Sequence, residues 1–496
     1  MNLSKNDLKE KVEPGIWHRL SEKNYKVQWL HPKELVTWNR FDIGMRTLYL
    51  RIRDHVPKLA DKIYYEDLKA QSLGTMVDPD NSNKNSWEAF QEVFDTVANS
   101  IAEQGFDPSK TLLPVSATGS ILNGGHRLSA ALVYGKEVSC VYTDLPPITC
   151  DYKYFFDRDV PADIIERAAR QLIRYAEHVF LAFLWPSGAD ALAQTEKLFD
   201  KIIYKKIIHL KGNAPFNLLY QCYHHMDWVG KEASGYQGLQ QKRMECFPGG
   251  EGEVLVIAFQ ATGGVPEVRA VKERIREING IGYSSVHITD TKEEAIRISE
   301  IVFNENGRHY LNYAQPITAG AKEILEQLLN RAVDRGVDPE YFMVDGSWLL
   351  ELYGIRNAED IDIVASSAAD DVYQTLSFEA RQKEMVFHGK SEEELIFDSA
   401  NHFQLFGIKL VGFCQLQHMK TARGQPKDKN DVKLMACLVE NRPWQAMRVR
   451  LKQKMIYARL RTRKKFFSLV RKLLKLTGLY HPVRIIWQAV SAKKMK

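Results

Sequence analysis

Apolar and polar residues alternate with two different periods along this chain. Residues 87–104 carry apolar side chains at helical spacing and end at Gly105, a favourable C-cap, so they predict a helix. Residues 253–260 and 341–344 are apolar runs of strand length. Helices and strands mixed over 496 residues predict a multidomain protein of the α/β and α+β classes.

Three further segments carry predictions of the same kind. Residues 161–183 are amphipathic and predict one long helix, and residues 402–411 predict one strand. Residues 285–290 predict a strand that leads to a helix N-cap among residues 289–291. A lone histidine on a strand is more often buried and hydrogen-bonded than catalytic, so we predict a structural role for His287.

The end of the chain differs from the rest in its net charge. Residues 441–496 contain 17 lysines and arginines and no acidic residue, whereas the first 440 residues carry 51 basic and 62 acidic side chains, a net charge of −11. We divide the acidic body into the ranges 1–150, 151–330 and 331–440, and we treat 441–496 as a basic tail. Six cysteines without a CxxC pair favour reduced thiols in a cytoplasmic protein and no zinc site.

The stretch from residue 341 to 364 carries the strongest candidate chemistry. An apolar strand stops at residues 345–347, a short helix follows, and residues 360–364 alternate acidic and aliphatic side chains. On one strand Asp360 and Asp362 point to the same face. Two adjacent carboxylates repel each other unless a cation lies between them, and a hard divalent ion such as Mg²⁺ suits oxygen ligands.

This order of elements resembles the nucleotidyltransferase superfamily, which has the polymerase-beta-like fold. The family carries Gly-Ser at the head of a helix and Asp-x-Asp on the next strand, and here twelve residues separate Ser347 from Asp360. The resemblance implies that Gly346 and Ser347 hold the phosphates of a nucleoside triphosphate, ATP or CTP. It implies that Asp360 and Asp362 are catalytic and bind Mg²⁺.

The same resemblance suggests three more residues in the range 331–440. The family often has a third carboxylate on a later strand, and Asp398 is the candidate catalytic residue here. Lys420 and Lys427 lie in a segment rich in lysine, arginine and aspartate, which such folds use to close on the triphosphate. Solvated surface charge is the alternative interpretation of each.

A second motif lies in the range 1–150. A strand enters Gly124-Gly125-His126-Arg127 and leaves as an alanine-rich helix, which places free N–H groups beside two basic side chains. Residues 25–145 resemble the ParB/sulfiredoxin-like fold, and the resemblance implies a phosphate or nucleotide site at these four residues. Sulfiredoxin activity needs a cysteine in the turn, and the nearest one is Cys140. A tight turn with a structural His-Arg pair is the alternative.

The basic tail places aliphatic and aromatic residues among lysine and arginine at helical spacing, with an interruption at Pro482. This pattern favours peripheral attachment to an anionic membrane surface, and we expect Phe466 and Phe467, beside Lys464 and Lys465, to insert. Nucleic-acid binding is the less favoured alternative. No run of eighteen apolar residues predicts a spanning helix.

Together these features predict a Mg²⁺-dependent nucleotidyl- or phosphotransferase at the cytoplasmic face of the membrane. Its acceptor would be a sugar or small molecule, by analogy with accessory enzymes of bacterial surface-polysaccharide synthesis. One alternative is a ParB-like protein that binds nucleotide and DNA and has a degenerate transferase site. Another is a small-molecule kinase whose chemistry lies at residues 124–127. The range 151–330 receives no predicted role.

Overall fold

A computed structural model describes residues 2–78, 83–358, 360–369, 372–378 and 382–477. Within these ranges twelve strands form three four-stranded sheets, and helices pack around them, so the fold is a mixed α/β fold. Residues 1–416 form one compact unit and residues 417–496 form a second. The boundary between the units therefore falls inside the range 331–440.

The first sheet has the order β1-β2-β4-β3, with β3 parallel to β4 and the other neighbours antiparallel. The predicted helix at residues 87–104 is confirmed, because Ser86 accepts a hydrogen bond from the N–H of Ala89 and Gly105 ends the helix with φ +79°. The elements are β1 (Asn2–Ser4), α1 (Pro14–Arg19), β2 (Asn24–Leu30), α2 (Asp42–Ile52), α3 (Pro57–Gln71), α4 (Trp87–Gln104), β3 (Leu113–Val115), α5 (Gly125–Tyr134) and β4 (Val138–Tyr142).

The middle sheet is antiparallel throughout, has the order β6-β7-β5-β8, and so carries β8 at an edge. Thr291 accepts a hydrogen bond from the N–H of Glu294 and begins the helix after β8, as predicted. The elements are α6 (Tyr152–Phe156), α7 (Ala162–Tyr175), β5 (Val179–Leu184), α8 (Leu192–Glu196), β6 (Ile202–Leu210), α9 (Ala214–Tyr223), α10 (Gln237–Cys246), β7 (Gly252–Gln260), α11 (Val265–Asn279), β8 (Val286–Ile288), α12 (Lys292–Val302) and α13 (Glu305–Tyr313).

The long helix predicted over residues 161–183 is wrong in its second half. Helix α7 ends at Tyr175, and the chain then reverses through His178, which has φ +55°. Strand β5 follows, and every one of its residues is apolar and buried. A strand covered on both faces is apolar at each position, and over six residues this run cannot be told from a buried helix by periodicity.

The third sheet has the order β10-β9-β12-β11, in which β9 and β12 are parallel and the two outer pairs are antiparallel. Its helices lie before β9, between β9 and β10, and between β10 and β11. The elements are α14 (Ala319–Asp334), β9 (Phe342–Asp345), α15 (Ser347–Leu352), β10 (Asp362–Ala365), α16 (Val372–Leu376), α17 (Gln382–Met385), α18 (Glu392–Phe397), β11 (His402–Leu405) and β12 (Ile408–Val411).

Two predicted strands of this sheet differ from the structure. Residues 402–411 form a hairpin instead of one strand, because Phe406 and Gly407 both have positive φ, +49° and +82°. Two such residues make the tight turn that matches the twist of paired strands. Strand β10 begins at Asp362 and not at Asp360, since its partner β9 ends at Asp345, directly opposite Asp362.

A cluster of buried ion pairs joins α7 to the third sheet within the first unit. Arg170 binds Glu300 at 2.7 Å and Arg174 binds Glu340 at 2.8 Å. Lys409 on β12 also binds Glu340, at 2.9 Å, and its side chain is buried. Each buried charge thus has an opposite partner, which is the condition for burying charge at all.

The second unit consists of the end of α19 (Phe413–Arg423), α20 (Pro426–Val439) and α21 (Pro443–Leu476). Among the side chains of α21 that the structure describes, seven large apolar ones are exposed, and at 100° per residue they fall within one sector of about 100°. None of the helices in the described ranges combines the length and the hydrophobicity that crossing a bilayer demands. The seven are Trp444, Met447, Leu451, Met455, Phe466, Leu473 and Leu476.

Candidate functional site

Two carboxylates face each other where β9 and β10 meet. Asp345 is the last residue of β9 and pairs with Asp362, the first residue of β10, in antiparallel register. Directly opposite residues lie on the same face of a sheet with Cβ atoms about 4.5–5.5 Å apart. Asp345 is buried, with 8% exposure, whereas Asp362 is partly exposed.

Gly346 follows Asp345 and is required by the geometry of the pair. Its φ is +76°, and a Cβ at this position would lie 2.6 Å from Oδ2 of Asp362. Any larger residue would therefore displace the Asp362 carboxylate. The predicted order of strand, Gly-Ser, helix and acidic strand is confirmed, with Ser347 as the first residue of α15.

A layer of hydrogen bonds holds these elements in place. Nε2 of His388 lies 3.1 Å from Oδ2 of Asp345, and the His388 ring is buried. Gln415 donates from Nε2 to the backbone carbonyl of His388 at 2.9 Å. Glu393 accepts hydrogen bonds from the hydroxyl groups of Ser366 and Ser367 just after β10. These hydrogen bonds fix the positions of Asp345 and of the residues that follow β10.

The metal ligands predicted from the sequence are only partly in this arrangement. Asp362 is at its centre, whereas Asp360 is exposed and lies in a bend ahead of β10. Asp345 was missed, although it directly precedes Gly346 and could have been noticed there. His388 could not have been noticed, since it is 43 residues away from its partner.

Asp398 has a different environment from the one predicted for a third catalytic carboxylate. It accepts a hydrogen bond from Nη2 of Arg167 at 2.8 Å and another from the N–H of Ala400 at 2.9 Å. Burial would raise the pKa of Asp398, but Arg167 and the Ala400 amide outweigh it and lower the pKa. Asp398 thus takes part in the ion pairs that hold α7, and a catalytic role remains only a prediction.

The two predicted phosphate-binding lysines lie in the second unit. Lys420 is buried and donates to Asp431 at 3.0 Å, with Asp428 at 3.7 Å. Its ammonium group thus already has two carboxylate partners. Lys427 is in the first turn of α20 and is partly exposed. Triphosphate binding by either residue stays a prediction.

The four-residue turn near the N-terminus has the predicted backbone and an inward-facing set of side chains. Gly124 has φ +89°, and Gly125 begins α5. His126 is stacked on Phe94 at 4.2 Å and lies within hydrogen-bond distance, 2.8 Å, of the Tyr64 hydroxyl. Burial lowers the pKa of His126 well below its ordinary value, so the ring is neutral.

The charges beside this turn are also satisfied from within the chain. Arg127 donates hydrogen bonds to Glu13 and to the hydroxyl of Thr111. A Cβ on Gly125 would lie 3.1 Å from a carboxylate oxygen of Asp42, whose side chain is buried between Arg40 and Arg46. A phosphate at this turn would have to displace these contacts. Binding of phosphate at residues 124–127 is therefore a prediction without added support.

In the described ranges, no three or more histidine, cysteine, aspartate or glutamate side chains are grouped so that they could hold a metal ion. The pair Asp345 and Asp362 nevertheless fits Mg²⁺, because Mg²⁺ is usually bound by one or two carboxylates and completes its shell with water and substrate phosphates. The pair does not fit an ion that requires a full set of protein ligands.

No model of a known protein family matches this chain, and no curated protein or solved structure matches it either. The family resemblances therefore rest on the motifs at residues 346–362 and 124–127 alone.

Proposed function

We propose that this protein transfers a nucleotidyl or phosphoryl group from ATP or CTP to the hydroxyl of a sugar or small molecule, with Mg²⁺. The observation that carries the proposal is the contact between Asp362 and the Gly346 turn, opposite Asp345. In the alternative interpretation, a surface strand with two solvated aspartates, we would not expect a buried carboxylate at Asp345 or a glycine requirement beside Asp362.

Each residue of the site has a distinct task in this proposal. Asp362 and Asp345 would hold the ion, and His388 keeps Asp345 in one orientation through its 3.1 Å contact. When bound, Mg²⁺ would neutralise charge on the phosphates. The absence of a side chain at Gly346 leaves room for the Asp362 carboxylate beside the turn.

Helix α15 contributes less than the family resemblance implies. It has six residues, Ser347 to Leu352, so few peptide dipoles add at its N-terminus. We therefore place the recognition of phosphate on the metal and its two carboxylates rather than on the helix. The acceptor class, and a place in surface-polysaccharide synthesis, rest on the resemblance alone.

The test is label transfer by the full-length protein from ATP or CTP labelled at the α- or the γ-phosphate, over a panel of sugars, with Mg²⁺ or with EDTA. Transfer of the α-label indicates nucleotidyl transfer, and transfer of the γ-label indicates phosphoryl transfer. Asp362→Asn should reduce turnover about 100-fold or more while leaving the circular dichroism spectrum unchanged. The matched control is Asp334→Asn, an exposed carboxylate at the end of α14, which should keep full turnover. Turnover that survives EDTA or Asp362→Asn would refute the proposal.

A further inference from the structure

The edge of the middle sheet borders a groove that neither motif predicts. A cavity of about 500 Å³ lies between β8, α10 and α11, and a second one of about 310 Å³ shares Lys272, Arg276 and Asp290 with it. Volumes of this size are those of small-molecule sites. The groove lies in the range 151–330, and the carboxylate pair at Asp345 and Asp362 does not line it.

The guanidinium group of Arg276 lines the groove with hydrogen-bond donors that have no partner among the described residues. Its guanidinium group stacks on the ring of Tyr283 at 4.4 Å, and it makes no hydrogen bond to any described residue. The Nε atom is buried without a hydrogen-bond partner. A guanidinium group offers five N–H donors in a planar fork that suits phosphate, so a stacked and otherwise unbonded arginine is prepared for that ligand.

Two more cations extend Arg276 into a row. Arg269, Lys272 and Arg276 lie at positions i, i+3 and i+7 of α11 and line the smaller cavity over about 10 Å, together with Glu273 and Asp290. Lys272 also pairs with Asp290 at 2.8 Å, so a phosphate would share this ammonium group with a carboxylate. A row of cations of this length suits two linked phosphates better than one.

Aromatic rings complete one end of the groove. Trp228 is 45% exposed and Tyr283 is 75% exposed, although both rings are large and apolar. Trp228 is held close to α10, because a Cβ on Gly238 would lie 1.8 Å from the Trp228 carbonyl oxygen. Exposed aromatic faces at the rim of a cationic groove are a stacking surface for a nucleobase.

His287 forms part of the floor. It is buried, as predicted, and its Nε2 lies 3.2 Å from Glu294. Glu294 in turn accepts from the N–H of Asp290 at 2.8 Å. Nδ1 of His287 makes no hydrogen bond to a described residue, and His287 lines the cavity. A histidine oriented by a carboxylate can offer its second ring nitrogen to a ligand.

We propose that this groove binds a nucleoside diphosphate group, with the two phosphates on Lys272 and Arg276 and the base against Trp228 and Tyr283. The group can be a free nucleoside diphosphate or the corresponding half of a nucleotide sugar. The site is separate from the proposed transferase site and does not depend on Mg²⁺ or on Asp362.

Isothermal titration calorimetry of the full-length protein in EDTA tests this assignment. The probes are ADP, CDP, UDP, UDP-glucose and inorganic pyrophosphate. EDTA removes the metal that the carboxylate pair would need, so binding in EDTA does not come from that pair, and its loss in Arg276→Ala assigns it to the groove. We expect at least one nucleoside diphosphate to bind, and Asp362→Asn to leave that affinity unchanged. Equal binding of UDP and UDP-glucose would support a nucleotide sugar, and binding of UDP alone would support the free diphosphate.

Variants of one helix provide the matched control. Arg276→Ala should weaken binding about tenfold or more, because a charged hydrogen-bonding group is lost. Arg274→Ala removes an exposed arginine of α11 that pairs with Glu277 and should change nothing. Trp228→Leu should weaken the binding of the nucleoside diphosphates and leave the binding of pyrophosphate unchanged. The proposal fails if no diphosphate binds in EDTA, if both arginine variants behave alike, or if pyrophosphate binds as tightly as every nucleoside diphosphate.

Discussion

Oδ2 of Asp362 lies 2.6 Å from the position that a Cβ would occupy on Gly346. The contact links a residue of the predicted Gly-Ser motif to a residue of the predicted Asp-x-Asp motif. The two motifs are therefore one local structure, and a change at Gly346 should act through Asp362.

We first predict that Gly346→Ala will abolish Mg²⁺-dependent transfer and lower the free energy of unfolding by about 1–3 kcal/mol, since alanine cannot adopt this backbone conformation without strain. Gly336→Ala is the control. Gly336 also has positive φ, +70°, but an added Cβ would meet nothing within 4 Å. It should cost stability without loss of transfer. Equal activity in the two variants would contradict a role for the Gly346–Asp362 contact.

The second prediction concerns the ion pairs around α7. Burial would raise the pKa of Glu340, but Lys409, Arg174 and Arg51 outweigh it and hold the pKa well below its usual range. Glu340→Gln leaves the buried Lys409 without its carboxylate partner, and chemical denaturation at pH 7 should show a loss of about 2–4 kcal/mol.

The sign of the pH dependence follows from the lowered pKa of Glu340. Its contribution to stability is complete above the unfolded-state pKa of about 4.3 and is lost as the pH falls toward the folded-state pKa. The variant should therefore approach the wild-type protein in stability below about pH 4. For comparison, Glu277→Gln breaks an exposed pair and should change stability by less than about 0.5 kcal/mol. A loss of the same size in both variants would show that burial of the cluster is unimportant.

The third prediction concerns the loss of stability at acidic pH that is caused by the buried residue His402. Burial, with Lys409 nearby, lowers the pKa of His402 to about 3. Below pH 6.5 the unfolded chain binds a proton that folded His402 does not, so the free energy of unfolding should fall by about 2 kcal/mol between pH 7 and pH 5 on account of this residue. His402→Gln keeps a donor for the Leu395 carbonyl, which His402 contacts at 2.9 Å, and should flatten the slope. An unchanged slope would refute the assignment of a neutral ring.

The fourth prediction concerns α21. Its exposed apolar sector lies among many basic residues, so we expect the full-length protein to co-sediment with anionic vesicles and a chain truncated after Glu440 to stay in solution. Phe466 is 60% exposed, whereas the side chains of Phe467, Lys464 and Lys465, and residues 478–496 with Pro482, lie outside the described residues.

Substitutions in α21 make this test specific. Leu451→Glu and Met455→Glu place charge in the apolar sector and should each weaken vesicle binding, while Ser468→Glu adds the same charge at an exposed position about 110° away from the centre of that sector. A full-length protein that does not bind the vesicles but binds duplex DNA at low salt would contradict the membrane prediction. If that affinity falls steeply as the salt concentration rises, the tail is a nucleic-acid-binding segment.

Local signals predicted the elements that have clear ends. Ser86 and Gly105 bound α4 as a cap and a stop, and both are visible in the sequence. The hairpin at Phe406 and Gly407 was missed because phenylalanine rarely takes positive φ, so nothing but Gly407 indicated a turn. Strand β5 was missed because a fully buried strand has no polar face.

The candidate sites differ in the same way. Asp362 and Gly346 were predicted because their motif lies within a few elements of the chain. Asp345 faces Asp362 only through the register of two strands, which sequence spacing does not define. The groove at Arg276 combines residues from α9 to β8, and no short motif contains them. Side chains that meet through tertiary packing are the part that the sequence does not reveal.

The ion pairs of α7 also affect the order of events during synthesis. Arg170 precedes its partner Glu300 by 130 residues. At about 5–20 residues per second, a ribosome needs roughly 6–26 s to add that length of chain. During this interval Arg170 cannot pair with Glu300, and Arg174 precedes its partner Glu340 by 166 residues. The ion pairs of α7 can therefore form only after all four strands of the middle sheet have been synthesised.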